Sequence, residues 1–229
     1  FLCIQHFDGQ ASSLLEDVKS VIAACAAVRK STALTKTLEL VLALGNHLNG
    51  TGPKGGAYGF KLSELAKLVD VKSGDHKTTL LHYIASLMAP KNELADFEAI
   101  GTLKAELDAV SSPASIALAD KKTEATQLKA NFDQVKLQRD AGSSDDPLQA
   151  QLIAFCSAHE ARVKQIQGAV ADAEKCAKKL GHWLAGSLSA SAAELFGPLA
   201  AVARALENAH RDNAKKSAAA GAGKWKMPR

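Results

Sequence analysis

A chain of 229 residues with 47% hydrophobic and 23% charged side chains has the composition of a folded protein, long enough for one good core or a compact part joined to an extended one. It contains no run of about eighteen apolar residues, so no membrane span is expected, and its opening FLCIQHFDGQ is too short and too soon acidic for a secretory signal. The net charge of +4 is unevenly placed: residues 211–229 carry six basic side chains against Asp212, a net +5, which leaves the body at −1.

Aromatics make up only 5% while alanine and leucine dominate, which favours helix packing over sheets of β-branched and aromatic residues. Leu14, Leu15, Val18, Val21, Ile22, Cys25 and Val28 recur at three- and four-residue steps, the stripe of an amphipathic helix. Ser31 or Thr32 caps the next helix, in which Leu34, Leu38, Val41, Leu42 and Leu48 are spaced for burial. That helix is expected to fray near Gly45 or soon after it, because six glycines and Pro53 crowd into residues 45–60. Ser63 then starts a short helix through Leu65 and Leu68. Asp75 caps another, with Leu80, Leu81, Ile84, Leu87 and Met88 on one side and Pro90 as its stop.

From about Leu103 the texture changes to long, charged, alanine-rich helices. Leu118, Ala125, Leu128, Phe132 and Val135 fit a heptad register, and AGSSDDP at 141–147 breaks it with turn formers. The next stripe runs from Leu148 through Leu152, Phe155, His159, Val163, Ile166, Val170, Ala173, Ala177 and Leu180 to Leu184, in steps of three and four with one extra four at Val163. Such a stutter locally unwinds a supercoil. A last helix carries Leu195, Phe196, Leu199, Val202 and Leu206, with His210 as a further candidate. The expected organisation is a compact helical part over 1–110, a long helical hairpin or bundle over 111–213, and a basic disordered tail over 214–229, a handle for an acidic partner. Cys3, Cys25, Cys156 and Cys176 form no CxxC and read as small buried hydrophobes of a reducing compartment, and without an initiator Met the chain reads as a piece of something longer.

Gly50, Gly52 and Gly55 spell GxGxxG, with Asp70 about twenty residues on, the outline of a dinucleotide loop. LELVLALG passes for a buried strand. Pro53-Lys54-Gly55-Gly56, however, is a poor first helical turn, no other alternation of strand and helix follows, and no Gly-Lys-Ser/Thr completes a phosphate loop. His76 and His82 are six apart, about 600° around a helix, and make no metal pair. No GxSxG elbow is present, Cys25 and Cys156 lack a nucleophile's local signature, and Asp145-Asp146 sit in a turn. No catalytic residue, cofactor or metal is expected.

Residues 45–83 as a whole resemble the signature of formin homology 2 domains, roughly GNxMN, a glycine-rich loop ending GxAxGF, then LxxLxKLxDxKxxDxKxTLLHF. The chain supplies Gly45-Asn46, Asn49, Gly56-Ala57, Gly59-Phe60, Leu62, Leu65, Lys67-Leu68, Asp70, Lys72, Asp75, Lys77 and Thr79-Leu80-Leu81-His82. Weaker similarity extends upstream through Val21–Arg29 and downstream to Ala192–Asn208. His47 stands where the family often has an aromatic or Arg, Leu48 replaces the usual Met, and Thr51 occupies a position that is commonly Gly.

The resemblance implies an all-α fold, the post and long helices of the domain's C-terminal half, with lasso, linker and most of the knob preceding Phe1. It implies a surface that receives the lasso of a second subunit, formed by Gly45, Asn46, His47, Leu48, Asn49, Gly56, Ala57, Gly59 and Phe60. Glycines let a partner's backbone and large rings come close, while Leu48 and Phe60 supply apolar walls. It implies actin contact at Lys77 and Lys72, a head-to-tail dimer, no nucleic acid, and a cytoplasmic, cytoskeletal setting. The implied activity is actin nucleation and barbed-end elongation by binding. A helical coiled-coil scaffold without actin assembly is the alternative.

Overall fold

The computed structural model describes residues 2–50, 52, 55–67, 71–72, 78–88, 103–107, 110, 113–142, 147–184 and 191–222. Within them lie seven α-helices: α1 Leu2–Lys30, α2 Thr32–Asn49, α3 Leu62–Lys67, α4 Leu80–Leu87, α5 Leu118–Ala141, α6 Pro147–Trp183 and α7 Ala192–Ala222. A 3-10 turn at Pro113–Ser115 precedes α5, and an isolated antiparallel bridge joins Lys72 to Thr79. The fold is all-α.

The helices sort by stripe rather than by chain order. In α1 the buried line begins earlier than Leu14: Phe7, Ala11, Leu14, Val18, Val21, Cys25 and Val28 advance in alternating steps of four and three. The same spacing buries Ala125, Leu128, Phe132 and Val135 of α5 and eight stripe positions of α6 from Leu152 to Leu180, with Leu184 just past its end. Three such seams close on one another as a lengthwise bundle of α1, α5 and α6. Full burial of each Val or Leu contributes roughly 1.5–3 kcal/mol. Charged side chains stitch the rim, with Lys136 on Glu160 at 3.0 Å, Lys122 on Glu174 at 2.8 Å and Lys121 on Asp17 at 3.1 Å.

The stutter falls where the bundle holds its aromatic residues. Phe7 meets Phe155 edge to face at 5.3 Å, and the His159 ring lies 4.7 Å from Phe7 and 4.5 Å from Phe155. The extra four-residue step thus makes room for an imidazole between helices, with Asp8 Oδ1 3.5 Å from its Nδ1. Cys25 faces Cys176 across α1 and α6, and burial pushes the Cys25 thiol up to about 12, which keeps it protonated and inert.

The other packing unit gathers α3, α4 and the 3-10 turn onto α7. Its stripe is Ala192, Leu195, Leu199, Val202, Leu206 and Ala209, with Phe196 beside it; His210 is only half buried. Ser191 and Glu194 cap α7 reciprocally: the Ser191 N–H donates to Glu194 Oε2 (2.7 Å) and the Glu194 N–H to Ser191 Oγ (3.2 Å). Residues 214–222, expected from composition to be disordered tail, continue this helix. Alanine and lysine extend an existing helix without a nucleation cost, so the low apolar content does not stop it. Residues 223–229 lie outside the described residues.

Ser31 ties the start of α2 to the helical residues 103–107. Its Oγ accepts from the Leu34 N–H at 2.9 Å as the cap of α2 and donates to Glu106 Oε2, while the side chain is buried. Helix α2 then runs through Gly45 to Asn49, and Gly50, at φ +55°, stops it. Helix α4 opens at Thr79, whose N–H donates to His82 Nδ1 at 3.2 Å. Asp75 and Pro90, the expected cap and stop, lie outside the described residues, as do Leu68 and Asp70.

Candidate partner-binding site

After Asn49 the chain reverses over the end of α2, and one side chain pins it there. Asn46 Nδ2 donates to the Ala57 carbonyl (2.9 Å) while the Ala57 N–H donates to Asn46 Oδ1 (2.8 Å), so the amide side chain pairs with the loop as another peptide group would. Between these anchors the backbone folds tightly on itself. The Gly52 N–H reaches Asn49 O at 3.2 Å and the Gly55 N–H reaches Gly52 O at 2.8 Å. A Cβ on Gly55 would lie 1.8 Å from the Gly50 carbonyl oxygen, and Gly56 sits at φ +67°. These two glycines are therefore required by the loop's own path. The GxGxxG spacing reports that reversal, since none of its glycines opens a helix among the described residues.

Once turned back, the loop delivers Gly59 and Phe60 against the side of α2. Phe60 is partly buried and stands between two apolar recesses. One, of about 140 Å³, is lined by Val41, Gly45, Asn46, Asn49, Ala57 and Glu64; the other, of about 270 Å³, by Thr35, Leu38, Glu39, Leu62, Trp183 and Leu184. Leu42, Gly59 and Phe60 line both. Both volumes fall short of the roughly 300–1,000 Å³ of a cleft for a drug-sized ligand. They suit individual apolar side chains of an inserted segment. Leu38, Leu42 and Phe60 supply their apolar surface, and Glu64 at the rim of the smaller one holds Lys67 at 2.8 Å.

Of the residues expected on this surface, Gly45, Asn46, Asn49, Ala57, Gly59 and Phe60 converge on the recesses. Gly56 shapes the loop, and His47 is exposed and lines neither recess. Leu48 is 65% exposed but points away, into a separate cleft that also holds Lys72. At about 100° per residue Leu48 lies well around the helix from its neighbour Asn49, on the side of this second cleft. Lys72 is exposed beside the bridge to Thr79. Lys77 lies outside the described residues.

Two residues escaped the sequence reading. Trp183, at the end of α6, forms a wall of the larger recess and is 44% exposed. Its signal was available: it falls one position before Leu184, off the buried stripe, where a tryptophan has no core to fill. Tyr58, at the loop's crest, is fully exposed. No periodicity announces it.

Comparison with known proteins gives the chain its family. The chain is similar to Formin-like protein of Drosophila melanogaster, 32% identical over 215 residues, covering 90% of this chain and 17% of that protein. It is 31% identical to Formin-H of Dictyostelium discoideum over 137 residues (59% of this chain, 12% of the relative) and 45% identical to Formin-like protein 3 of Danio rerio over 95 residues (41% and 9%). The chain thus spans less than a fifth of the length of these relatives. The Formin Homology 2 Domain description matches residues 1–207, and with that match across most of its length the chain belongs to the formin homology 2 family.

Proposed function

We propose that this chain is the post-bearing part of an actin-assembly domain, acting by binding in filament nucleation and barbed-end elongation. The paired recesses beside Phe60 carry the reading. They receive apolar anchors from the lasso of a second subunit, and two such heterologous contacts close a head-to-tail dimer. Lys72 and Lys77 face the acidic surface of actin, which they attract at long range. In this setting the protein works in the cytoplasm on the cytoskeleton, and among the described residues no helix is long and apolar enough to cross a membrane.

The dividing experiment fills the recess without touching the core. Gly59 has open space where a Cβ would stand, so Gly59→Leu projects a side chain into the mouth shared by both recesses. In a complete domain bearing these residues, Gly59→Leu is expected to shift sedimentation from dimer to monomer and to remove nucleation in a pyrene-actin assay. A fully dimeric, fully active Gly59→Leu domain rules out the recesses as the docking point.

A further inference from the structure

The cleft that takes Leu48 shares no lining residue with the recesses beside Phe60. At about 700 Å³ it is the size of a ligand cleft. Four separate segments build it: Leu48 from the end of α2, Val71 and Lys72 beside the bridge, Tyr83 of α4, and Lys216 of α7. The walls are held in place from within. The Leu80 N–H donates to Val71 O at 2.9 Å, and Asn213 Nδ2 of α7 donates to His82 O at 2.8 Å, fastening the end of α7 to α4.

Its surface chemistry is mixed in a particular way. Leu48, Val71 and Tyr83 are 65%, 41% and 54% exposed, an apolar floor left in solvent. Lys72 and Lys216 stand at its edge, neither ion-paired among the described residues, whereas Lys104, Lys121, Lys122, Lys129 and Lys136 all hold carboxylates. Among the described residues no carboxylate lines the cleft. Asp212, one turn before Lys216, faces His82 Nε2 at 3.8 Å and Lys215 at 3.9 Å. An apolar floor between two cations that hold no carboxylate among the described residues is complementary to a chain with an apolar side chain flanked by acids.

We propose that this cleft docks an acidic polypeptide segment, its apolar anchor seated between Leu48 and Tyr83 and its carboxylates on Lys72 and Lys216. The end of α7 is then a working wall of the surface. The inference depends on the proposed function only in sharing Lys72 with the actin contact.

Fluorescence anisotropy of the full chain with a labelled peptide alternating glutamate and leucine tests it, against glutamate–glycine and lysine–leucine counterparts. The glutamate–leucine peptide is expected to bind at least about tenfold more tightly than either counterpart, and Lys72→Glu and Lys216→Glu each to weaken it about tenfold. Tyr83→Ser should weaken it while leaving its salt dependence intact, and Lys178→Glu, on the exposed side of α6, should change nothing. Equal binding of the acidic and basic peptides, or indifference to Lys216→Glu, overturns the proposal. Unlabelled monomeric actin separates the two readings. If the acidic peptide binds as expected but actin does not displace it, the cleft stands and the actin role of Lys72 falls; if actin binding is lost in Lys72→Glu while no peptide binds, the reverse holds.

Discussion

Phe7 and Phe60 are the same side chain in opposite surroundings. Phe7 is fully buried, with Phe132, Phe155 and His159 around it from α5 and α6. Phe60 is half covered, with a recess on either side. The difference follows from what flanks each position. Three helices with continuous apolar seams face one another along their length, so the bundle closes on itself. A loop of Gly55, Gly56, Ala57 and Gly59, whose one large side chain, Tyr58, stands in solvent, puts almost no volume beside Phe60, so the space there stays open.

Breaking each environment in turn sharpens that contrast. Phe7→Ala should have the largest effect, about 3–5 kcal/mol lost in urea unfolding, because a rigid aromatic cluster collapses poorly around the hole. Gly55→Val comes next, at roughly 1–3 kcal/mol, since the new Cβ meets backbone oxygen and cannot be relieved by a rotamer change. Hydrogen exchange should show the loss localised to residues 50–57 while α1 and α6 keep their protection. For Phe60→Ala the expected cost in stability is smaller, about 1–2 kcal/mol, because less area returns to water. Its effect on dimer formation should be far larger than on melting. A Phe60→Ala domain that dimerises normally but unfolds like Phe7→Ala would make Phe60 an ordinary core residue.

Asn46→Ala removes both hydrogen bonds to Ala57 and should cost about 1 kcal/mol, seen as faster amide exchange at Ala57. The smallest effect belongs to the bundle's surface. Hydrogen bonds from Lys136 and Lys164 hold the Glu160 carboxyl below its usual range. A lowered folded-state pKa makes its contribution complete above the unfolded value, near 4.3, and lost as pH falls through the folded one. The small stability gap between wild type and Glu160→Gln should therefore vanish in acid and be steady at neutral pH, which thermal melts across pH 2 to 7 will show.

Much of this was legible in linear order because helices announce themselves by period. The stripe from Leu152 to Leu184, the break at AGSSDDP, the Ser31 cap and the all-α class need only local chemistry. The family was legible through the resemblance, whose matches run from Gly45-Asn46 to Thr79-Leu80-Leu81-His82. What a period does not encode is partnership. That α1 joins α5 and α6 while α7 joins α3 and α4 depends on long-range closure of seams that look alike in sequence. Trp183 comes to face Phe60 across more than a hundred residues, and Leu48 turns from the recesses to join Lys72 and Lys216, for the same reason. Residue type and spacing determine which surfaces are apolar and where the backbone must bend; which of those surfaces meet, and where a gap is left, is decided only when the whole chain competes for burial.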